Sequence, residues 1–316
     1  MNSSLKNRLV QNETTSLRQK LAGLEKENRI LVEEIQRLRK PPKGYRIRMG
    51  KIRSGPGDFV RVAIPDSHGS KICPKAAAAF LADLKQLDPR EIIMGGDHVD
   101  CGGFLAQHHT LGYVAETEYS YADDCDAANA FLDQIMENAR GATIDYLEGN
   151  HEARVTKWAV TAALRHGRDA EMLRQAFAPE FKLHLKERGI KYYRLSEKYD
   201  DLPVPGAIKK GKCGFWHSTS TAKDAAAVNL RQFGGNVVFF HTHRADSATA
   251  CPVAIGPIAA WNPGCLCIQQ MLWCHGRPTN WTQGYGVQLV ARSGAFLHIN
   301  VPIIDGQSLL MSLLKK

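Results

Sequence analysis

Five short apolar runs in this chain each end on a residue type that binds metals or moves protons, and that repeated ending constrains the fold more than any other feature. Phe59-Val60-Arg61-Val62-Ala63-Ile64 runs into Pro65-Asp66-Ser67-His68-Gly69, and Glu91-Ile92-Ile93-Met94 into Gly95-Gly96-Asp97-His98-Val99-Asp100. Ala142 to Leu147 runs into Glu148-Gly149-Asn150-His151-Glu152-Ala153-Arg154. Gly214-Phe215-Trp216 leads to His217, and Asn236-Val237-Val238-Phe239-Phe240 to His241-Thr242-His243. Short apolar runs bounded by glycine and polar turns read as buried strands. Helical patterns lie between several of them, and the one from Pro74 to about Leu87 starts on proline and is rich in alanine. Strands alternating with helices predict an α/β fold, and open sheets of that kind gather the loops after their strands at one edge. The polar endings are therefore expected to converge.

The ordered set Asp-x-His, Gly-Asp, Gly-Asn-His-Glu, a lone His and His-x-His, over about residues 59 to 250, resembles the calcineurin-like metallophosphoesterase superfamily. The resemblance implies a four-layer αββα sandwich with two divalent ions at the strand ends. Carried onto this chain by motif position, it implies Asp66, His68 and His243 on one ion, Asn150, His217 and His241 on the other, and Asp97 between them. Two ions about 3.5–4 Å apart share a carboxylate and activate water near neutral pH. Oxygen and imidazole donors without a thiolate suit Mn, with Fe, Zn or Ni as other occupants. His151 would protonate the leaving oxygen or stabilise its charge, Asp100 or Glu152 would orient that imidazole or a ligand, and Arg154 would reach a phosphate oxygen. Gly96-Asp97-x-Val99-Asp100-x-Gly102 looks like the protein phosphatase branch, but Cys101 stands where that branch carries a phosphate-binding arginine. The long insert after Asp97 and the tail Asn262-Pro263-Gly264-Cys265-Leu266 look more like phage and prophage phosphoesterases.

Upstream of the first strand the pattern changes. Val10, Leu17, Leu24, Leu31 and Leu38 repeat every seven residues, with Thr14, Leu21, Asn28 and Ile35 four residues after the first four. That is a coiled-coil repeat, and the Asn28 amide at an a position favours a parallel two-stranded coil. Lys20 would meet Glu25 of the partner helix, and Glu34 would meet Arg39, although Glu27 faces Val32. The other reading is an amphipathic helix folded back on its own domain. Pro41-Pro42 ends the helix. Residues 1 to 42 are thus expected to be a dimerisation helix, 43 to 58 a basic linker, and 59 to 316 the catalytic domain.

The charge is placed accordingly: residues 1 to 58 hold 14 Lys/Arg against 6 Asp/Glu, and the remaining 27 against 26 leave the rest nearly neutral. From Arg39 to Arg53 there are seven basic residues and no acidic one. Such a tract could neutralise phosphates of DNA or RNA, or serve as a solvated hinge or a strand with basic outer residues. Eight cysteines scattered along 316 residues read as reduced thiols, and Cys265-x-Cys267 with Cys274-His275 lacks the paired spacing of a zinc knuckle. No apolar run approaches the roughly 18 residues needed to span a bilayer. The polar start lacks the apolar core of a signal peptide, so a cytoplasmic chain with no membrane partner is expected, in a bacterial or phage-infected cell.

Aromatic, histidine and acidic residues between 103 and 125, with Trp261, Trp273, Trp281 and Tyr285, could wall a cleft or stack bases, or could simply pack. Tyr285 to Ile303 alternates around Ser293-Gly294 and reads as a hairpin completing a second sheet. The expected activity is a phosphodiesterase acting on nucleic acid or a nucleotide. The alternatives are a phosphomonoesterase, and a coiled-coil assembly protein whose metal site is vestigial.

Overall fold

A computed structural model of the chain describes Lys20 and residues 57–101, 120–164, 169–271, 274 and 276–310. The heptad segment, the basic tract, most of the 103 to 125 insert and Trp273 lie outside the described residues. From Phe59 onward the strands fall where the apolar runs place them: β1 Phe59–Ile64, β2 Glu91–Met94, β3 Thr143–Leu147, β4 Lys191–Tyr193, β5 Ile208–Lys210, β6 Cys213–His217 and β7 Val237–Phe240. β8 Ala245–Ala250, β9 Ile258–Pro263, β10 Gly284–Val290, β11 Phe296–Ile304 and β12 Gln307–Ser308 follow. The helices are α1 Pro74–Leu87, α2 Tyr121–Asn138, α3 Asn150–Leu164, α4 Ala170–Phe177, α5 Pro179–Lys182 and α6 Ala225–Phe233.

Two mixed sheets result, one ordered β12-β11-β10-β1-β2-β3-β4 and the other β5-β6-β7-β9-β8. β1 to β4 run parallel, as do β6, β7 and β9. Period-two alternation assigns each side chain to a layer. Val62, Ile64, Ile92 and Met94 face Phe80 and Leu84 of α1 and Phe131, Leu132 and Ile135 of α2. Ala63, Ile93 and Leu147, from the other face, pack with Phe215, Val238 and Phe240 between the sheets. Val237 and Phe239 then meet Ala225, Ala226 and Leu230 of α6. Helices, sheet, sheet and helix therefore stack in the four layers expected. Strands buried on both faces explain why β1, β2 and β7 read as continuous apolar runs rather than alternating ones.

The last hairpin forms between β10 and β11, but it does not complete the second sheet. β10 pairs antiparallel with β1, from Phe59 opposite Val290 to Ala63 opposite Gly286, so the hairpin extends the first sheet. The second sheet is finished instead by the β8–β9 hairpin. The local pattern specifies a hairpin but not which free edge it joins. At their carboxyl ends the sheets approach so closely that a β-carbon on Gly95 would lie 2.3 Å from the Phe240 ring.

His298 on β11 is buried between the sheets, its ring centroid 4.9 Å from that of Trp261 and Nε2 2.9 Å from Asn300 Oδ1. Burial lowers its pKa from 6.5 to about 4. The unfolded chain therefore takes up a proton that the folded chain refuses, and stability present above pH 6.5 is lost as pH falls toward 4. Across that interval the wild type is expected to lose roughly 3 kcal/mol more than His298→Gln, as read by urea denaturation at several pH values.

Candidate metal-binding site

Each polar strand ending occupies the same edge of the sandwich. Asp66 and His68 follow β1, Asp97 to Asp100 follow β2, and Asn150 to Glu152 open α3 directly after β3. His217 closes β6, while His241 and His243 follow β7. The backbone turns sharply to deliver them: His68, Asp97, His241 and His243 adopt φ of 54°, 51°, 98° and 57°. Left-handed backbone at non-glycine residues costs about 1–3 kcal/mol each and persists only where the surroundings enforce it. Gly149 is required for a different reason, since a β-carbon there would sit 2.1 Å from Asp97 Oδ1.

The side chains are packed acceptor against acceptor. His217 Nδ1 lies 2.7 Å from the Gly95 carbonyl, which can only accept, so Nδ1 carries the proton and Nε2 faces the site. Nε2 then sits 3.3 Å from Asp97 Oδ2 and 3.1 Å from Asn150 Oδ1. A ring lone pair cannot face a carboxylate oxygen at that distance unless positive charge lies between them. Burial opposes that charge, but Asp97 and Asp66 outweigh it and raise His217 to about 10. A second group repeats the pattern, with His243 Nε2 3.1 Å from His68 Nε2 and 3.0 Å from Asp66 Oδ2. Asp66 is held at about 2, where burial alone would raise it, chiefly by the neighbouring His243.

Ligand-type atoms within 4.8 Å of one another link Asp66, His68 and Asp97 in one group and Asp97, His217 and His241 in another. Asp97 thus belongs to both halves. Ring nitrogens of His241 and His243 and one Asp100 oxygen are buried without a partner among the described residues. These observations fit a site for metal ions: buried, and rich in oxygen and imidazole nitrogen whose mutual repulsion positive charge must offset.

Around this group the supporting side chains divide the work. Asp100 Oδ1 lies 2.9 Å from His68 Nδ1, so it orients His68 and leaves His68 Nε2 facing the site. His151 Nδ1 lies 2.6 Å from the Asp100 carbonyl, and its Nε2 is 3.9 Å from Asp97 Oδ2. Glu152 orients neither imidazole. Its two oxygens accept from the backbone amides of Asp97, His98, Val99 and Gly149 and from the Tyr146 hydroxyl. Burial and the Asp97 charge raise the Glu152 carboxyl to about 7. With donors on every side, however, a protonated oxygen would find no acceptor, and the geometry requires the carboxylate.

Arg154 is half-buried and lies four residues after Asn150, on the same face of α3. His98 is behind the site rather than lining it, with Nδ1 2.8 Å from Ser67 Oγ and its ring against Tyr146. Of the aromatic candidates, Tyr285 is core and donates to Asp83, Trp261 packs on Phe296, and Trp281 reaches the site, its ring 4.2 Å from that of His243. Two participants escape the motif reading. Asp124 is buried and accepts from Ser70 and from the Cys101 amide, tying α2 to the loops after β1 and β2. Cys267 places its sulfur within 4.8 Å of ligating atoms of His68 and His243, where a donor set without sulfur was expected. All eight cysteines are free thiols.

Fold and site together define a mixed α/β sandwich with a buried Asp/His cluster that could hold metal ions. No family model and no curated protein matches the chain. Among solved structures, a single mutant of Vps29 from Entamoeba histolytica is similar with a TM-score of 0.38 and 12% identity, covering 79% of this chain and 96% of that one. Vps29 from Cryptosporidium parvum gives 0.38 and 10%, covering 80% and 95%. YfcE, described as a phosphoesterase from E. coli, gives 0.33 and 12%, covering 77% and 99%. Among the described residues no helix is long and apolar enough to cross a membrane.

Asp100→Asn removes the charge that strengthens His68 as a donor while keeping an oxygen in place. It is expected to weaken metal binding by about 10–100-fold, measured by calorimetric titration of the metal-free protein.

Proposed function

We propose that the chain is a dimetal phosphoesterase, acting on a phosphodiester of nucleic-acid or nucleotide type. The observation that carries this reading is the facing of His217 Nε2 and Asp97 Oδ2 across 3.3 Å inside a buried cluster. In this reading Asp66, His68 and His243 hold one ion, Asn150, His217 and His241 hold the other, and Asp97 lies between them. Bound there, the ions would polarise the phosphoryl oxygens and activate the attacking water.

The chain's own residues set the rest of the reaction. His151 is fixed through Nδ1 on the Asp100 carbonyl, so Nε2 is the atom that serves the leaving oxygen. Burial lowers its pKa against the pull of Asp97, and it gives a proton there only as the imidazolium. Arg154, on the Asn150 face of α3 and without a hydrogen bond or ion pair among the described residues, is placed to neutralise a phosphate oxygen. Cys101 is fully buried with its amide on Asp124, so the position offers no guanidinium for a doubly charged monoester. That supports the singly charged diester. The tract from Arg39 to Arg53 supports a nucleic-acid substrate, because its seven cations would follow a phosphate backbone.

With added manganese, Asp97→Asn is expected to abolish hydrolysis of bis(p-nitrophenyl) phosphate and His151→Ala to slow it by about 10²–10⁴-fold. Full activity in either variant would sink the assignment. The diester should be cleaved faster than p-nitrophenyl phosphate, and the opposite order would make the enzyme a monoesterase. A protein that neither manganese, zinc nor iron can activate would instead be an assembly protein with a vestigial centre.

The heptads from Val10 to Leu38 support a parallel homodimer. Light scattering is expected to give a dimer for the full chain and a monomer for a chain starting at Arg53, and two equal masses would remove the coil.

A further inference from the structure

Cys267 reaches the metal cluster through backbone pairing. The segment from Cys265 to Ile268 runs beside the loop that carries Asp66 and His68. The Leu266 amide donates to the Asp66 carbonyl at 2.8 Å, and the Cys73 amide donates to the Leu266 carbonyl at 2.8 Å. Ile72 and Cys267 form an antiparallel bridge, and the Ile268 amide donates to the Lys71 carbonyl at 2.9 Å. On its other side the segment is tied to the His243 loop through Thr282, whose amide donates to the His243 carbonyl and whose carbonyl accepts from the Cys265 amide, both at 2.9 Å. Cys267 is thus locked between the two loops that carry Asp66, His68 and His243.

Burial alone does not explain where the sulfur points. Cys265 is equally buried in the same small apolar group with Met271, yet its sulfur lies 3.6 Å from the Thr282 carbonyl and belongs to none of the ligand-type groups. Cys267 is fully buried, and its sulfur is within 4.8 Å of ligating atoms of both His68 and His243. One nitrogen of His243 is itself buried without a partner among the described residues. Two imidazoles and a thiol gathered this tightly form a donor set for a thiophilic ion.

We infer that the Cys267 sulfur is a ligand of the ion held by Asp66, His68 and His243. This rests on the reading of the site as a metal centre. The thiol releases its proton to solvent as the sulfur–metal bond forms, with no change of oxidation state. One half of the centre then carries oxygen, nitrogen and sulfur donors and selects zinc or iron over manganese, while the half built on Asn150, His217 and His241 has oxygen and nitrogen only.

X-ray absorption of the zinc-loaded wild type is expected to show a sulfur neighbour at about 2.3 Å from zinc. The cobalt-loaded wild type is expected to show sulfur-to-cobalt charge-transfer absorption in the near ultraviolet. Compared at equal bound cobalt, that band should vanish in Cys267→Ser and remain in Cys265→Ser. Because the zinc measurement uses the wild type, an absent sulfur neighbour overturns the ligand even if Cys267→Ser does not fold. Full metal content with no sulfur neighbour would overturn the ligand alone, as would a band lost in Cys265→Ser and kept in Cys267→Ser. Failure to bind any ion would overturn the metal centre along with it.

Discussion

Two loops from neighbouring strands must be held in register for Asp97 and Asn150 to meet, and Glu152 holds them. One of its oxygens takes the Asp97 amide at 2.9 Å and the Gly149 amide at 3.1 Å, joining the turn after β2 to the turn after β3. The other takes the His98 amide at 2.8 Å and the Tyr146 hydroxyl at 2.7 Å, anchoring both turns to the core. A buried charge is tolerated when hydrogen bonds surround it, and here those bonds are spent on backbone that would otherwise have no partner. Loss of the carboxylate would release amides as well as a charge, so Glu152 matters to the site although no reacting atom need touch it.

The same economy explains the left-handed turns. Four of the converging residues have positive φ, a conformation that local sterics disfavour. The enforcing contacts are visible one by one. Asp97 Oδ1 accepts the His151 amide at 2.8 Å, the Asp97 carbonyl accepts the His68 amide at 2.9 Å, and the His243 carbonyl accepts the Thr282 amide at 2.9 Å. Each bond crosses from one strand-end loop to another, so no single loop could keep its shape in isolation.

Much of this is legible from residue pattern. The strands β1, β2, β3, β6 and β7, the helix α1 and the convergence of Asp66, His68, Asp97, Asn150, His217, His241 and His243 all follow from apolar runs with polar endings, because strand direction alone decides where those endings go. What is not legible has a common cause. Glu152 acts on backbone amides, and amides are the same in every residue. Cys267 arrives through a bridge to Ile72, nearly two hundred positions away, that no periodicity announces. The β10–β11 hairpin is evident locally, but the edge of β1 that receives it is a property of the assembled sheet.

The cluster also bears on how the two sheets stay together. Asp66, His68, Asp97 and Asn150 come from the first sheet, and His217, His241 and His243 from the second. Beneath them the sheets are joined by apolar packing, with Phe240 lying against Gly95. At the edge itself the junction is polar, and two buried aspartates there repel each other unless positive charge lies between them. With its pKa raised to about 10, the proton on His217 supplies that charge at neutral pH in the metal-free protein, and a bound cation would replace it. Should the cluster bind a cation, groups drawn from both sheets would make that binding and sheet packing one equilibrium rather than two. Closure of the sandwich at this edge would then be set by the same electrostatics that would make the site reactive.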